Sequence, residues 1–165
     1  MAVVERLSGV ITDRDASPRV KIQPYLEGRL KEVCGTLETV SGDSIGSTYR
    51  LFQVPSNARI SQLLLYSDDI GTTTIADFGI YQTTANGGAV VDADFFGSAV
   101  SLKDGALNGS DITHESAIFG LEDMEKPLWE ALGLSADSNR FYDVVATLTA
   151  AADAAATLSA LLRYV

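Results

Sequence analysis

The sequence predicts an all-β fold: an antiparallel β-sandwich or barrel of jelly-roll type, with an extended N-terminal arm and one short helix. Three observations carry this. From about residue 31 onward, apolar residues recur with a period of two in short runs. Clusters of glycine, proline, asparagine and serine separate the runs at intervals of roughly ten residues. Only one stretch has the pattern of a helical turn. Roughly seven to nine short strands with scarcely any helix point to a Greek-key or jelly-roll architecture. No internal repeat of fixed period occurs.

Residues 1–30 read as the arm and 31–165 as the β domain. Pro18 and Pro24 interrupt a weak hydrophobic pattern in the arm. Each fixes φ, removes a donor and pushes its predecessor toward extended geometry. Five of the 12 basic residues fall here, at Arg6, Arg14, Arg19, Lys21 and Arg29.

In Ser47 to Val54, Tyr49 and Leu51 alternate with Arg50, Phe52 and Val54; in Arg59 to Tyr66, Ile60, Leu64 and Tyr66 interleave with Ser61, Leu63 and Leu65. Both read as strands, separated by the turn residues Pro55 to Ala58. Thr74 to Tyr81 is a further strand with Ala76, Phe78 and Ile80 on one face. Asn86-Gly87-Gly88 supplies positive φ at low cost and is the strongest turn signal in the chain. Val90-Val91 and Phe95 to Leu102 are extended, and Lys103 to Asp111 reads as a loop. Ile112 to Phe119 reads as one more strand. Glu125 to Gly133 is the short helix, with Pro127 in its first turn and Gly133 ending it.

Phe141 to Leu148 returns to strand character, with Tyr142, Val144, Ala146 and Leu148 opposite Phe141, Asp143, Val145 and Thr147. Ala150 to Ala156 has high helix propensity, so a helix from Thr149 to Leu162 competes with a strand. The alternation of Leu158, Ala160, Leu162 and Tyr164 favours a hairpin with an alanine-rich connection.

The chain has 165 residues, 46% of them hydrophobic and 21% charged, enough for one core of its own. With 22 acidic against 12 basic residues its formal net charge is −10, which argues against nucleic acid or an anionic membrane as partner. Cys34 is the single cysteine, so no intrachain disulfide forms. It reads as a buried or half-buried apolar residue with no partner for nucleophilic work. The amino terminus lacks a signal-peptide pattern, and no apolar run spans a bilayer, so a soluble chain is expected.

The candidate chemistry is sparse. Asp92 and Asp94 share a strand face and offer oxygen ligands, but two carboxylates fall short of the six to eight oxygens calcium takes. Asp68-Asp69 and Glu122-Asp123 with Glu125 are further acidic clusters; any two of the clusters could supply the paired acids of a glycosidase, but sequence gives no distance between them. His114 is the only histidine, which excludes a His-rich zinc site within one chain. In His114-Glu115-Ser116, neighbours on a strand point to opposite faces, so a triad is disfavoured and a surface histidine expected. No phosphate-binding glycine motif occurs. Trp129, with Leu128 and Leu132, reads as a plug for the open end of a sandwich, the alternative being a partner contact. Asn108-Gly109-Ser110 matches a glycosylation acceptor without a secretory context. No catalytic residue, cofactor or metal is expected.

The segments Tyr49–Ile60 (YRLFQVPSNARI), Tyr81–Phe96 (YQTTANGGAVVDADFF) and Glu125–Leu134 (EKPLWEALGL) resemble small structural proteins of tailed bacteriophages and prophages, the jelly-roll head decoration or cement proteins. The resemblance covers residues 30 to 165. It implies a non-enzymatic virion protein on the outer capsid surface that clamps neighbouring major capsid protein subunits and stabilises the mature head. It also implies a homo-oligomer, dimer or trimer, made in the host cytoplasm during assembly. In that frame Arg6, Arg14, Arg19, Lys21 and Arg29 are candidate contacts to an acidic capsid surface, the alternative being a solvated tail. A competing function is a tail- or fibre-associated β-sandwich module binding a carbohydrate or host receptor, which would need an aromatic platform on exposed loops; Tyr81 and Tyr142 are available, but both fit strands better.

Overall fold

The computed structural model describes residues 17–18, 29–103 and 105–165. Its strands are β1 (Lys31–Glu38), β2 (Thr48–Pro55), β3 (Ile60–Ser67), β4 (Ile75–Gln82), β5 (Val90–Ser101), β6 (Leu107–Asp111), β7 (Phe141–Ala150) and β8 (Thr157–Tyr164), with one short helix, α1 (Leu128–Ala131). Two antiparallel four-stranded sheets form, ordered β1-β8-β3-β6 and β2-β7-β4-β5. Every connection except β4–β5 crosses from one sheet to the other. This is the jelly roll, two interleaved Greek keys with a shared core.

The core lies between the sheets. Ala76, Phe78 and Ile80 of β4 and Tyr142, Val144, Ala146 and Leu148 of β7 face inward, as their alternation predicts, against Leu158, Ala160 and Leu162 of β8. Phe95, Phe96 and Phe119 stack with ring centroids 5.0 to 5.7 Å apart, edge-on or tilted, an arrangement that satisfies the ring quadrupoles. Gly87 at φ 97° and Gly88 at φ 66° make the β4–β5 hairpin.

Two strands depart from their sequence pattern because each contains a bulge, which adds a residue and reverses the alternation beyond it. In β2 the break lies between Arg50 and Phe52, so Tyr49, Phe52 and Val54 take one face, opposite Ala146, Val144 and Tyr142. In β3 it lies between Ile60 and Gln62, so Ile60, Leu63 and Leu65 face the core while Leu64 and Tyr66 face outward.

Three further expectations are corrected. The stretch Lys103 to Asp111 is not all loop, since residues 107–111 form β6 on the edge of β3, with Gly109 at φ 75° near a register break. Tertiary pairing there overrides turn-forming composition. Ile112 to Phe119 is a series of turns, not a strand. Ile112 N still bonds Leu63 O, but the Asp111 carboxylate then captures the Thr113 amide and hydroxyl and bends the chain. Ala117, at φ 60°, completes the reversal.

The third correction concerns the C-terminal strands, which are not a hairpin. β7 pairs with β2 and β4, whereas β8 pairs with β1 and β3 in the opposite sheet. The alanine-rich link crosses the top of the core, where Ala152 and Ala156 are buried, and small side chains allow that passage. Buried Thr39 holds it: its hydroxyl lies 3.1 Å from Ala156 O and accepts from Ala156 N at 3.0 Å.

Candidate interaction surfaces

Of the five basic residues singled out in the sequence, Arg6, Arg14, Arg19 and Lys21 lie outside the described residues. Arg29 is exposed, two positions before β1. Its neighbour Leu30 is also exposed, and Lys31 places its ammonium 5.8 Å from the Tyr164 ring centroid at the end of β8. The residues leading into β1 therefore stand at the end of the sandwich that also carries the β2–β3 turn, the β4–β5 hairpin and the long β6–β7 connection. Exposed Val90, Ile118, Leu121 and Phe141 belong to these same elements.

The side chains of His114, Glu115 and Ser116 serve separate local contacts, and His114 is half-buried rather than on the surface as expected. Its Nδ1 lies 2.7 Å from Phe119 O and its ring stacks on Phe119 at 5.4 Å. Glu115 and Ser116 are occupied with the backbone at Ser98 and at Phe95 and Ile118. Asp92 has its carboxyl raised by burial and by the adjacent Asp94. Among the described residues no group of three or more His, Cys, Asp or Glu side chains is placed to hold a metal ion.

Tyr81 and Tyr142 lie on strands β4 and β7, where they fit better than on loops, and at 4% and 6% exposed they offer no platform. Tyr81 Oη lies 2.6 Å from Thr147 Oγ1, and the Arg50 guanidinium carbon sits 5.7 Å from the Tyr81 ring centroid. Arg50 also donates to Asp143, Gln82 O and Gly88 O, tying the β4–β5 hairpin to β2 and β7. Trp129 is only half-buried and Leu128, fully buried, plugs that end of the core. The reason is positional: Leu128 N and Trp129 N bond Ala58 O and Ser56 O, which turns Leu128 inward. An open depression of about 180 Å³ is lined by Tyr66, Ser67, Asp68, Leu107, Thr157 and Ser159. Among the described residues no helix is long and apolar enough to cross a membrane.

The outer face of the β1-β8-β3-β6 sheet is ordered in rows across the strands. In one row Arg163 Nε meets Glu32 Oε1 at 2.7 Å, Arg163 Nη1 donates to Gln62 Oε1 at 2.8 Å and Gln62 Nε2 donates to Asp111 Oδ2 at 2.8 Å. The next is apolar, with Cys34 beside Leu161 and Leu161 beside Leu64. A third joins Thr36 Oγ1 to Ser159 Oγ at 2.8 Å, and a fourth has Thr157 Oγ1 donating to Glu38 Oε1 at 2.8 Å. Cys34 is exposed on this face, not buried as expected. The alternation of Val33, Gly35 and Leu37 points those residues inward and leaves Cys34 outside. That signal was present in Lys31–Glu38, whose even-numbered positions are Glu32, Cys34, Thr36 and Glu38.

The jelly roll has structural counterparts among chains of two phage capsid structures. A chain in the structure of the Cyanophage Pam1 capsid asymmetric unit matches with a TM-score of 0.52 at 13% identity, over 91% of this chain and 95% of that one. A chain in the structure of the capsid of Ralstonia phage GP4 matches with a TM-score of 0.56 at 16% identity, over 90% and 91%. No protein-family model matches, and no curated protein matches. At these identities the likeness establishes a common fold across nearly the whole of each chain.

Proposed function

We propose that this chain is a non-enzymatic structural protein of a tailed-phage virion, which decorates the outer capsid surface and cements neighbouring major capsid subunits. The observation that carries the reading is the likeness of its jelly roll, over about nine-tenths of the chain, to chains of two phage capsid structures. The likeness covers 91% and 90% of the chain, and both matched chains come from phage capsid structures. The residue strings that resemble head decoration proteins favour a decorating role within such an assembly.

The physical character of the surface supports this reading. The carboxylates of Asp68, Asp69, Asp92 and Asp123 take part in local hydrogen bonds, as does the His114 ring. In this reading the arm, residues 1–30, and the loop-rich end beside it bridge capsid subunits. Basic Arg6, Arg14, Arg19, Lys21 and Arg29 meet acidic capsid surface, and buried area at the joints stabilises the mature head. Self-association multiplies weak contacts into a firm attachment.

The test is co-sedimentation of the purified chain with mature capsids that lack it. Saturable binding at a fixed ratio to capsid subunits, with raised capsid resistance to heat, is the expected result. A folded protein that stays in the supernatant overturns the reading.

A further inference from the structure

We propose that the outer edge of β1 pairs antiparallel with the same edge of a second copy, with the twofold axis at Cys34. This rests on the self-association in the proposed function and names the contact that makes it.

The backbone fixes which groups are available. Thr39 N donates to Ala156 O at 2.8 Å and Asp68 N to Thr157 O at 3.0 Å, which sets the phase of β8 between its neighbours. By the alternation of an antiparallel ladder, residues 31, 33, 35 and 37 bond to β8. Glu32, Cys34, Thr36 and Glu38 then direct their N–H and C=O groups to the other side, where no described strand pairs with them.

The choice of β1 follows from a comparison of edges. The four edge strands are β1, β6, β2 and β5. β2, β6 and β5 all carry register breaks, whereas β1 pairs with β8 through eight consecutive positions without one. Bulges and short strands are how a sheet edge is made unfit for pairing, and a long regular edge is what pairing requires.

The side chains then select the register. Because the outward groups belong to even-numbered residues, a symmetric pair joins even positions to even positions. Three such registers overlap the strand centres. With Cys34 opposite Thr36 of the second copy, Glu32 faces Glu38 of the second copy, like charges directly across. With Cys34 opposite Glu32 of the second copy, the apolar row of Leu64, Leu161 and Cys34 runs into a charged row. With Cys34 opposite its own counterpart, the apolar run of Leu64, Leu161 and Cys34 continues into that of the second copy, ending at Asp111 of β6 on each side, and the Thr36 hydroxyl faces the Glu32 carboxylate of the second copy. No acid then faces an acid. The result is one continuous sheet of two four-stranded halves.

The experiment uses the full chain. Light scattering gives twice the 17.5 kDa chain mass, and mild oxidation yields a covalent dimer through Cys34. Thr36→Pro halves the mass with an unchanged circular dichroism spectrum, because the proline removes only an N–H directed away from β8. Cys34→Arg, which sets like charges opposite each other at an exposed site, also halves the mass and decides the matter if Thr36→Pro does not fold. A native chain of monomeric or trimeric mass overturns the proposal, as do a dimer that does not cross-link through Cys34 and a dimer that survives Cys34→Arg. Capsid sedimentation is scored separately. A monomer that binds capsids defeats the dyad alone, and a cross-linked dimer that ignores capsids defeats the cement reading alone.

Discussion

Gly35 of β1 lies directly against the backbone carbonyl of Leu51, the bulged residue of β2, so that a Cβ on Gly35 would overlap Leu51 O. Here the edges of the two sheets approach most closely, and the bulge and the glycine make the approach together. Gly35→Ala must push the edges apart, because the obstructing atoms are backbone. The expected cost is about 3 kcal/mol of unfolding free energy, read from urea denaturation. A loss below about 0.5 kcal/mol would mean that the edges separate freely.

Thr39→Val tests the strap over the top of the core. The substitution keeps shape but deprives Ala156 N of its side-chain acceptor in a buried setting. A loss of about 2 kcal/mol is expected, and Thr39→Ser should recover most of it.

Leu128 and Trp129 separate plug from surface. Leu128→Ala opens a cavity at a fully buried position and should cost about 3 kcal/mol, whereas Trp129→Ala at a half-buried position should cost about 1 kcal/mol or less. Chemical denaturation of both variants checks this, and a reversed order would return the tryptophan to the core.

The carboxylates give stability a pH dependence with two signs. Burial tends to raise Asp111 and Asp123, but hydrogen bonds from Thr113 and Gln62, and from Lys126 and Gly120, hold both below the ordinary carboxylate range. A carboxyl depressed in the folded state stabilises above its unfolded value, near about 4, and that contribution is lost as pH falls through the folded value. The urea midpoint should therefore drop on acidification below about pH 4. Asp92 runs the other way, raised by burial and by Asp94; its contribution is present below the unfolded value and lost as pH rises through the folded one. Asp92→Asn should raise the midpoint at neutral pH and leave it unchanged in strong acid, and equal effects at both would show that charge is not the cause.

Removal of residues 1–28 should abolish or sharply weaken capsid sedimentation while the β spectrum stays intact. Undiminished binding of the truncated chain would take the arm out of the capsid contact.

Much of this fold was legible in the chain. The strand at Ala76, Phe78 and Ile80, the turn at Asn86-Gly87-Gly88 and the helix stop at Gly133 are local events, governed by side-chain alternation and by the φ values that glycine permits. The candidate surface was legible only in part. The alternation in Lys31–Glu38 separates Glu32, Cys34, Thr36 and Glu38 from Val33, Gly35 and Leu37, but it does not say that one edge of that strand lacks a partner among the described residues.

The sequence by itself determined that the chain is built of β-strands with one short helix, where most strands begin and end, and that its composition can fill one core. Tertiary structure decided which strands share a sheet. It placed β7 and β8 on opposite sides of the core, turned Leu51 out of register against Gly35, recruited residues 107–111 as an edge and made Leu128 the plug in place of Trp129. The physical reason is that a period of two reports only that a segment is extended with one face drier than the other. The identity of its neighbour depends on backbone hydrogen bonds and packing between residues distant in sequence, and these are satisfied only when both sheets close over the same core.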